Sequence, residues 1–375
     1  MRIGILGASN CVNSMGFSAA MPTNSNVSYF ENFSIGGSTS LLALKSIDKA
    51  VNTGFDFIFL DFVINETKSI LKKATTFREI RNINRNIISR LIERNILPII
   101  TIFPSSKSEF RQMTKLDSMY IEIAKEFNIP YLNIIEIIDY VERLYGISRN
   151  FLFRDGDHIS RWLGKAISLS VIDALAKFEP NFTKEYGQYP AFSAVEIKKL
   201  LSHSWDVFNI KNNLIDEDFI TINNGDIVKL SPPENSRLIG YSADFRHSSS
   251  YLEISGENTI YVDLGTVMRS DLRFKNIVYI LPLQNGVRPR DNSISLRSLC
   301  NLPTMATPTC YSQWGSCSPN RDPLEGLSTI GKLFFDLEYK SPRSVATSIS
   351  MAINLWEIMN KDNIKQHFDL NASDI

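Results

Sequence analysis

In the first half of the chain, apolar runs no longer than a strand alternate with stretches whose apolar residues recur at helical spacing, and few folds accommodate that alternation. The runs are Arg2 to Leu6, Val27 to Phe33, Phe55 to Phe62, Leu97 to Phe103 and Tyr131 to Ile134. Near-continuous apolar character is what a strand needs when both of its faces are covered, as in a parallel sheet with helices on each side. Between the runs, Phe77, Ile80, Ile83, Ile87, Ile88, Leu91 and Ile92 fall on one helix face, and Met119, Ile121, Ile123 and Ala124 do so less regularly. A further helix is expected from about Ile159 through Trp162, Leu163, Ala166, Ile167, Val171 and Leu175. The expected architecture of this half is a three-layer α/β/α parallel sheet.

The segment from Phe178 to Pro190 breaks this rhythm with prolines, a glycine and polar residues, and places a boundary near residue 180. Beyond it, Phe219 to Ile222 and Ile227 to Leu230 flank Asn223-Asn224-Gly225-Asp226 and read as a hairpin, because Asn-Gly supplies the positive φ of a tight turn. Tyr251 to Ile254 and Ile260 to Leu264 around Ser255-Gly256-Glu257-Asn258 repeat the signal, and Arg237 to Tyr241 and Ile277 to Leu283 add strands. Two domains are therefore expected. Residues 1–180 form the α/β unit, and 181–375 form a mainly β, sandwich-like accessory domain ending in a helical segment. Tyr241, Phe245, His247, Tyr251 and Tyr261 either form a sugar-stacking face, as in a carbohydrate-binding module, or more simply fill the sandwich core.

Composition removes several function classes. Lys plus Arg equals Asp plus Glu at 40 each, so there is no global electrostatic case for nucleic acid or an anionic membrane. Cys11, Cys300, Cys310 and Cys317 make neither a disulfide framework nor a paired metal motif, and with four histidines in all a zinc site is not expected. The sequence opens directly on an apolar strand without the features of a signal peptide, and no apolar run reaches the roughly 20 residues of a membrane span. The expected compartment is the cytoplasm.

Chemistry-bearing residues follow the expected strands. Ser9 comes after the first, in Gly7-Ala8-Ser9-Asn10, at the carboxyl edge where open parallel sheets bind ligands; it is either a nucleophile or the cap of the next helix. The second strand is followed by Ser34-Ile35-Gly36-Gly37-Ser38-Thr39-Ser40, which reads as a loop with a backbone N–H aimed at an oxyanion, or as a turn with Ser38 or Thr39 capping a helix. Asn65 follows the third strand as an amide donor or a turn residue. Asp155 and His158, in Asp155-Gly156-Asp157-His158 before the last helix, have the spacing that lets a carboxylate hold the imidazole Nδ1 and leave Nε2 as a general base; Asp157 is the rival partner.

The order of these segments resembles the SGNH/GDSL hydrolase superfamily over about residues 1–178. The resemblance implies a flavodoxin-like sheet, Ser9 as nucleophile, His158 as base and Asp155 as its orienter, with Ser9, Gly37 and Asn65 as oxyanion donors. It departs at Ala8, where the family has an aspartate, and at Val63-Ile64-Asn65-Glu66, where it has Gly-x-Asn-Asp. The implied activity is acyl-ester hydrolysis through an acyl-enzyme, on an O-acylated carbohydrate or a small ester, with no cofactor or metal. A polysaccharide O-acetyltransferase with acetyl-CoA as co-substrate, and an inactive binding protein, are the alternatives. Gly315-Ser316-Cys317 is faintly similar to a nucleophile turn of divergent relatives or is a structured loop.

Overall fold

The computed structural model describes residues 1–12, 16–105, 115–178, 191–211, 215–268, 278–306, 309–310, 317–319, 326–337 and 352–372. The chain forms two compact units, one of Met1–Thr67, Ile80–Tyr189 and Pro342–Ile375, the other of Lys68–Glu79 and Pro190–Ser341.

The first unit is built on β1 (Arg2–Gly7), β2 (Tyr29–Asn32), β3 (Phe57–Asp61), β4 (Leu97–Ile102) and β5 (Tyr131–Asn133), parallel and in the order β2-β1-β3-β4-β5. Every residue of β3 and β4 is buried, as their unbroken apolar sequences require. The intervening helices are the one-turn α1 (Ser9–Val12), then α2 (Leu41–Thr53), α3 (Val63–Leu71), α4 (Phe77–Glu93), α5 (Lys115–Phe127), α6 (Ile134–Tyr145) and α7 (Arg161–Leu175). This strand order reverses direction between β1 and β3, so the crevice for a ligand lies at the carboxyl ends of those two strands.

The last segment belongs to this unit, not to the β domain. Tyr131 N–H donates to Ile353 O at 3.0 Å beside β5, and Asn354 Nδ2 donates to Glu136 at 3.0 Å. Two further helices follow, α8 (Leu355–Ile358) and α9 (Lys361–Ala372). Phe368 of α9 stacks on Tyr145 at 4.3 Å between ring centroids and meets Trp162 edge-on at 4.5 Å. A single division near residue 180 therefore does not describe the chain. The aromatic residues of the tail find partners on α6 and α7, and Ala74, from the Lys68–Glu79 stretch, is buried in the core of the second unit.

The second unit contains β6 (Ala191–Val195), β7 (Val207–Lys211), β8 (Asp216–Ile222), β9 (Ile227–Leu230), β10 (Ser236–Asp244), β11 (Tyr251–Ser255), β12 (Thr259–Asp263), β13 (Thr266–Met268), β14 (Val278–Val287), β15 (Ile294–Leu299), β16 (Thr309–Cys310), β17 (Cys317–Pro319) and β18 (Ser328–Leu337). One sheet runs β14-β10-β18-β8-β7 with β6 also on β18, another runs β16-β12-β11-β15-β9, and β13 pairs β17. Residues of both large sheets share one core, among them Ile220, Tyr241 and Phe335 from the first and Val228, Leu252 and Leu296 from the second.

The hairpin expected at β11 and β12 forms, with Ser255 opposite Thr259. The one expected at β8 and β9 does not: β8 pairs β7 and β18, whereas β9 pairs β15 in the other sheet. The turn itself is present, with Gly225 at φ 85°, but it carries the chain between sheets, because Gly225 N–H donates to Ser298 O at 2.8 Å and Cys300 N–H to Asn224 Oδ1 at 3.0 Å. Tyr241 and Phe245 are buried in the core, so they offer no sugar-stacking face. Gly315 and Ser316 lie outside the described residues, and the backbone of Cys317 opens β17 opposite Met268.

Truncating Phe368 to Ala removes both ring contacts of Phe368 and is expected to destabilise the first unit by about 3 kcal/mol. A fall of several degrees in the thermal midpoint is the expected result; an unchanged midpoint would show that the tail is not held by that ring.

Candidate active site

The last residues of β1 and β3, Gly7 and Asp61, lie opposite each other in register. A side chain in place of Gly7 would put its Cβ 3.1 Å from Asp61 Cβ and 3.2 Å from Cys11 Sγ, tighter than ordinary van der Waals contact, so the glycine lets α1 begin against the end of β3 without either neighbour giving way. One turn of helix cannot sustain itself, and α1 is held by its surroundings. Asn10 Nδ2 donates to Asp157 O at 3.1 Å, and Asn10 Oδ1 accepts Ile159 N–H at 3.4 Å. Cys11 O accepts from Ser18 Oγ at 2.5 Å and Asn32 Nδ2 at 2.6 Å, and the Cys11 thiol donates to Asp61 Oδ2 at 3.4 Å. Ser9 is the first residue of the turn and half-buried. Among the described residues its hydroxyl makes no hydrogen bond, neither capping α1 nor reaching His158. Nucleophile–base hydrogen bonds are often long before substrate binds. The Ser9 N–H is one of the amides a helix start leaves without an internal acceptor.

Across from α1, the segment leading into α7 closes on itself through Arg154 N–H to His158 O at 2.9 Å. Within it His158 Nδ1 lies 2.6 Å from Asp155 Oδ1 and 2.8 Å from Oδ2, and Asp155 Oδ1 also accepts the backbone N–H of Asp157 at 3.0 Å and of His158 at 3.1 Å. Partial burial works to raise the Asp155 carboxyl, but the Asp157 amide, His158 and Arg154 outweigh it and hold it below the ordinary carboxylate range. Asp157 faces elsewhere, accepting Ser105 Oγ at 3.1 Å, while the same hydroxyl donates to Gly156 O at 2.8 Å. Of the two acids considered, Asp155 is the one at the imidazole.

The loop after β2 is tied to β1 by Ile35 N–H to Gly7 O at 3.2 Å, and Gly37 takes the left-handed conformation with φ 74°. α2 begins with Ser40 at its cap position, not with Ser38 or Thr39. Asn65, in the first turn of α3, is 1% exposed and donates through Nδ2 to Ser38 O at 3.1 Å, joining the third loop to the second. Glu66 beside it is fully buried; it accepts Ser40 N–H at 3.0 Å and the Tyr120 hydroxyl, which in turn accepts Asn84 Nδ2 at 3.0 Å. Five positions dispersed in sequence, Ser9, Gly37, Asn65, Asp155 and His158, thus lie on loops or first helical turns joined by hydrogen bonds. Among the described residues, no group of three or more His, Cys, Asp or Glu side chains is arranged to hold a metal ion, and no helix is long and apolar enough to cross a membrane.

No protein-family model and no curated protein matches the sequence. Among solved structures, the chain is similar to a two-domain esterase active on acetylated mannans, with 12% identity and a TM-score of 0.60 over 91% of this chain and 92% of that one. The same esterase co-crystallized with mannopentaose aligns over the same shares with 12% identity and a TM-score of 0.52. A protein assigned to the lipolytic G-D-S-L family, from Desulfitobacterium hafniense, aligns with 13% identity and a TM-score of 0.35 over 44% of this chain and 95% of its own. The chain shares the fold of that two-domain esterase, and the five-stranded parallel sheet with its helices in the first unit fits an SGNH-like α/β domain.

Against the SGNH/GDSL pattern, the missing aspartate at Ala8 has a neighbour the sequence did not reveal. Asp61 comes from β3, is buried, and faces the Ala8 amide and the Cys11 thiol. The only sequence signal for it was an acid at the end of an apolar run. Asn10, Ser105 and the Glu66–Tyr120–Asn84 chain were likewise not anticipated, since each gains its meaning from a partner distant in sequence. Burial raises both Asp61 and Glu66 to about 7, although hydrogen bonds from Cys11 and Ala8 to the first, and from Ser40 and Tyr120 to the second, work the other way.

A carboxyl with a folded-state pKa above its unfolded value of about 4 takes up a proton on folding, so its contribution to stability is full below about pH 4 and is lost as pH rises. With both acids at about 7, stability is expected to decline between about pH 4 and pH 7. Asp61→Asn and Glu66→Gln should each flatten that decline in urea unfolding midpoints followed across the range; a slope identical to the parent's in both would show that neither acid titrates as its burial dictates.

Proposed function

We propose that the chain is a serine acyl-ester hydrolase that removes acyl groups, acetyl foremost, from an O-acylated carbohydrate. The observation that carries the reading is the Asp155–His158 pair, 2.6 Å at its closest, on a loop hydrogen-bonded to the turn that bears Ser9. The carbohydrate class is supported by the likeness, over both units, to an esterase active on acetylated mannans.

In this mechanism the Ser9 hydroxyl attacks the ester carbonyl and passes its proton to His158 Nε2. Asp155 holds Nδ1–H, fixes the tautomer and steadies the imidazolium. The negative oxygen of the tetrahedral adduct is met by the N–H groups of Ser9 and Gly37 and by Asn65 Nδ2. Collapse breaks the bond to the sugar oxygen, which takes the proton back from His158 and leaves the acyl group on Ser9. Water, deprotonated by His158, then attacks the acyl carbonyl; release of the carboxylic acid returns Ser9 to its starting state.

Ser9→Ala and His158→Ala are each expected to abolish release of acetate from acetylated mannan and from p-nitrophenyl acetate, with circular dichroism unchanged. Parent-level release from both variants would end the reading. Acetate appearing on an unacetylated glycan in the presence of acetyl-CoA, without free acetate, would make the protein a transferase instead. Asn65→Ala, which removes one oxyanion donor, should lower kcat by about 10² to 10³; a kcat equal to the parent's would confine Asn65 to bracing the loop through Ser38.

A further inference from the structure

Asn10 follows Ser9 in α1 and is 5% exposed. Both ends of its amide are used, and both on the same loop: Nδ2 donates to Asp157 O at 3.1 Å and Oδ1 accepts Ile159 N–H at 3.4 Å. Asp157 and Ile159 are the two chain neighbours of His158. A closed ring results, running from Ser9 through one peptide bond to Asn10, across two hydrogen bonds, and into the peptide units on either side of the imidazole. The Ser105 hydroxyl also braces this loop, through Gly156 O at 2.8 Å, but Ser105 follows β4 and has no covalent closeness to Ser9.

The choice of side chain is restrictive. The site needs one donor and one acceptor a few ångströms apart on a short stem, which a carboxamide offers and an ionised carboxylate or an aliphatic group does not. No part of the acyl-transfer chemistry calls on Asn10 directly, and its partners are backbone groups only, so sequence changes elsewhere in the loop would leave the contacts possible.

We propose that Asn10 is a positioning residue for the reaction, an amide clip that sets where His158 stands relative to Ser9. The inference rests on the serine-hydrolase reading above. Proton transfer from Ser9 to His158 depends on their separation and alignment, and a displacement of about 1 Å in such a pair costs on the order of 10² in rate. Substrate binding depends on neither hydrogen bond of the clip, so the loss should appear in kcat and not in KM.

The test uses the full chain and a fluorophosphonate probe followed by intact-protein mass. The final extent of labelling counts folded sites, and the rate reads the serine–histidine geometry. Asn10→Ala removes both hydrogen bonds; Asn10→Asp keeps the shape and the acceptor but turns a lone pair toward Asp157 O. Both variants are expected to label completely, at rates about 10- to 100-fold below the parent. kcat on p-nitrophenyl acetate should fall by the same factor, with KM within about twofold. If only one variant labels completely, that one decides. Rates and kcat within about threefold of the parent overturn the proposal, as does incomplete labelling of both variants, which would make Asn10 a residue of the fold. Parent protein that takes no label, or label persisting in Ser9→Ala, overturns the serine-hydrolase reading itself.

Discussion

β1 is hydrogen-bonded along both edges, to β2 on one side and β3 on the other, and all three run parallel. Parallel strands end at the same rim, so the loops after residues 7, 32 and 61 must leave the sheet side by side, whatever their sequences. Ser9, Gly37 and Asn65 inherit their proximity from that pairing. The two other candidate residues arrive differently: Asp155 and His158 lie before α7, well past β5, on a loop held by the bonds of Asn10 and Ser105. The sheet thus sets where the segments bearing Ser9, Gly37 and Asn65 leave it, and side-chain amides and hydroxyls hold the loop that bears His158.

That division has an energetic consequence. Backbone pairing within a parallel sheet satisfies its own polar groups, but bringing loops together over a sheet edge buries polar groups that the ladder cannot serve. Glu66 meets this need for the loop before α2 by accepting Ser40 N–H, and Asp61 does so for the turn around Ala8. Each does it as a carboxyl in an apolar interior, where the charged form is penalised. Acids raised to about 7 are the visible sign of that penalty. A neutral amide in either place would avoid it but would accept fewer and weaker hydrogen bonds from the backbone.

Much of the first unit could be read from residues alone, because a buried parallel strand and an amphipathic helix each leave a local mark. The strands of the first unit fall within or at the ends of the apolar runs, and Asp155 and His158 were paired by spacing. What could not be read depends on partners set by tertiary structure. Asn223-Asn224-Gly225-Asp226 has the chemistry of a hairpin turn whether the next strand folds back or crosses to another sheet, and the choice is made by Ser298 and by the edges open to β8 and β9. β18, which pairs with β6, β8 and β10, carries no turn signal that announces its central place. Asn10 looks like any helix-start asparagine until residues 157 and 159 are placed beside it.

Two aspartates at the same rim show why residue type alone did not assign roles. Asp155 is 46% exposed at its side chain and surrounded by donors, so it stays ionised and is able to steady a cation on the imidazole it touches. Asp61 is buried against a thiol and an amide, and its charge is poised to vanish near neutrality. An acid that is partly protonated near pH 7 is poorly suited to stabilise an imidazolium but well suited to fasten a turn, since the backbone N–H it accepts is bonded in either protonation state. Environment, not identity, separates the carboxylate that is bonded to His158 from the one that holds the Ser9 turn in place.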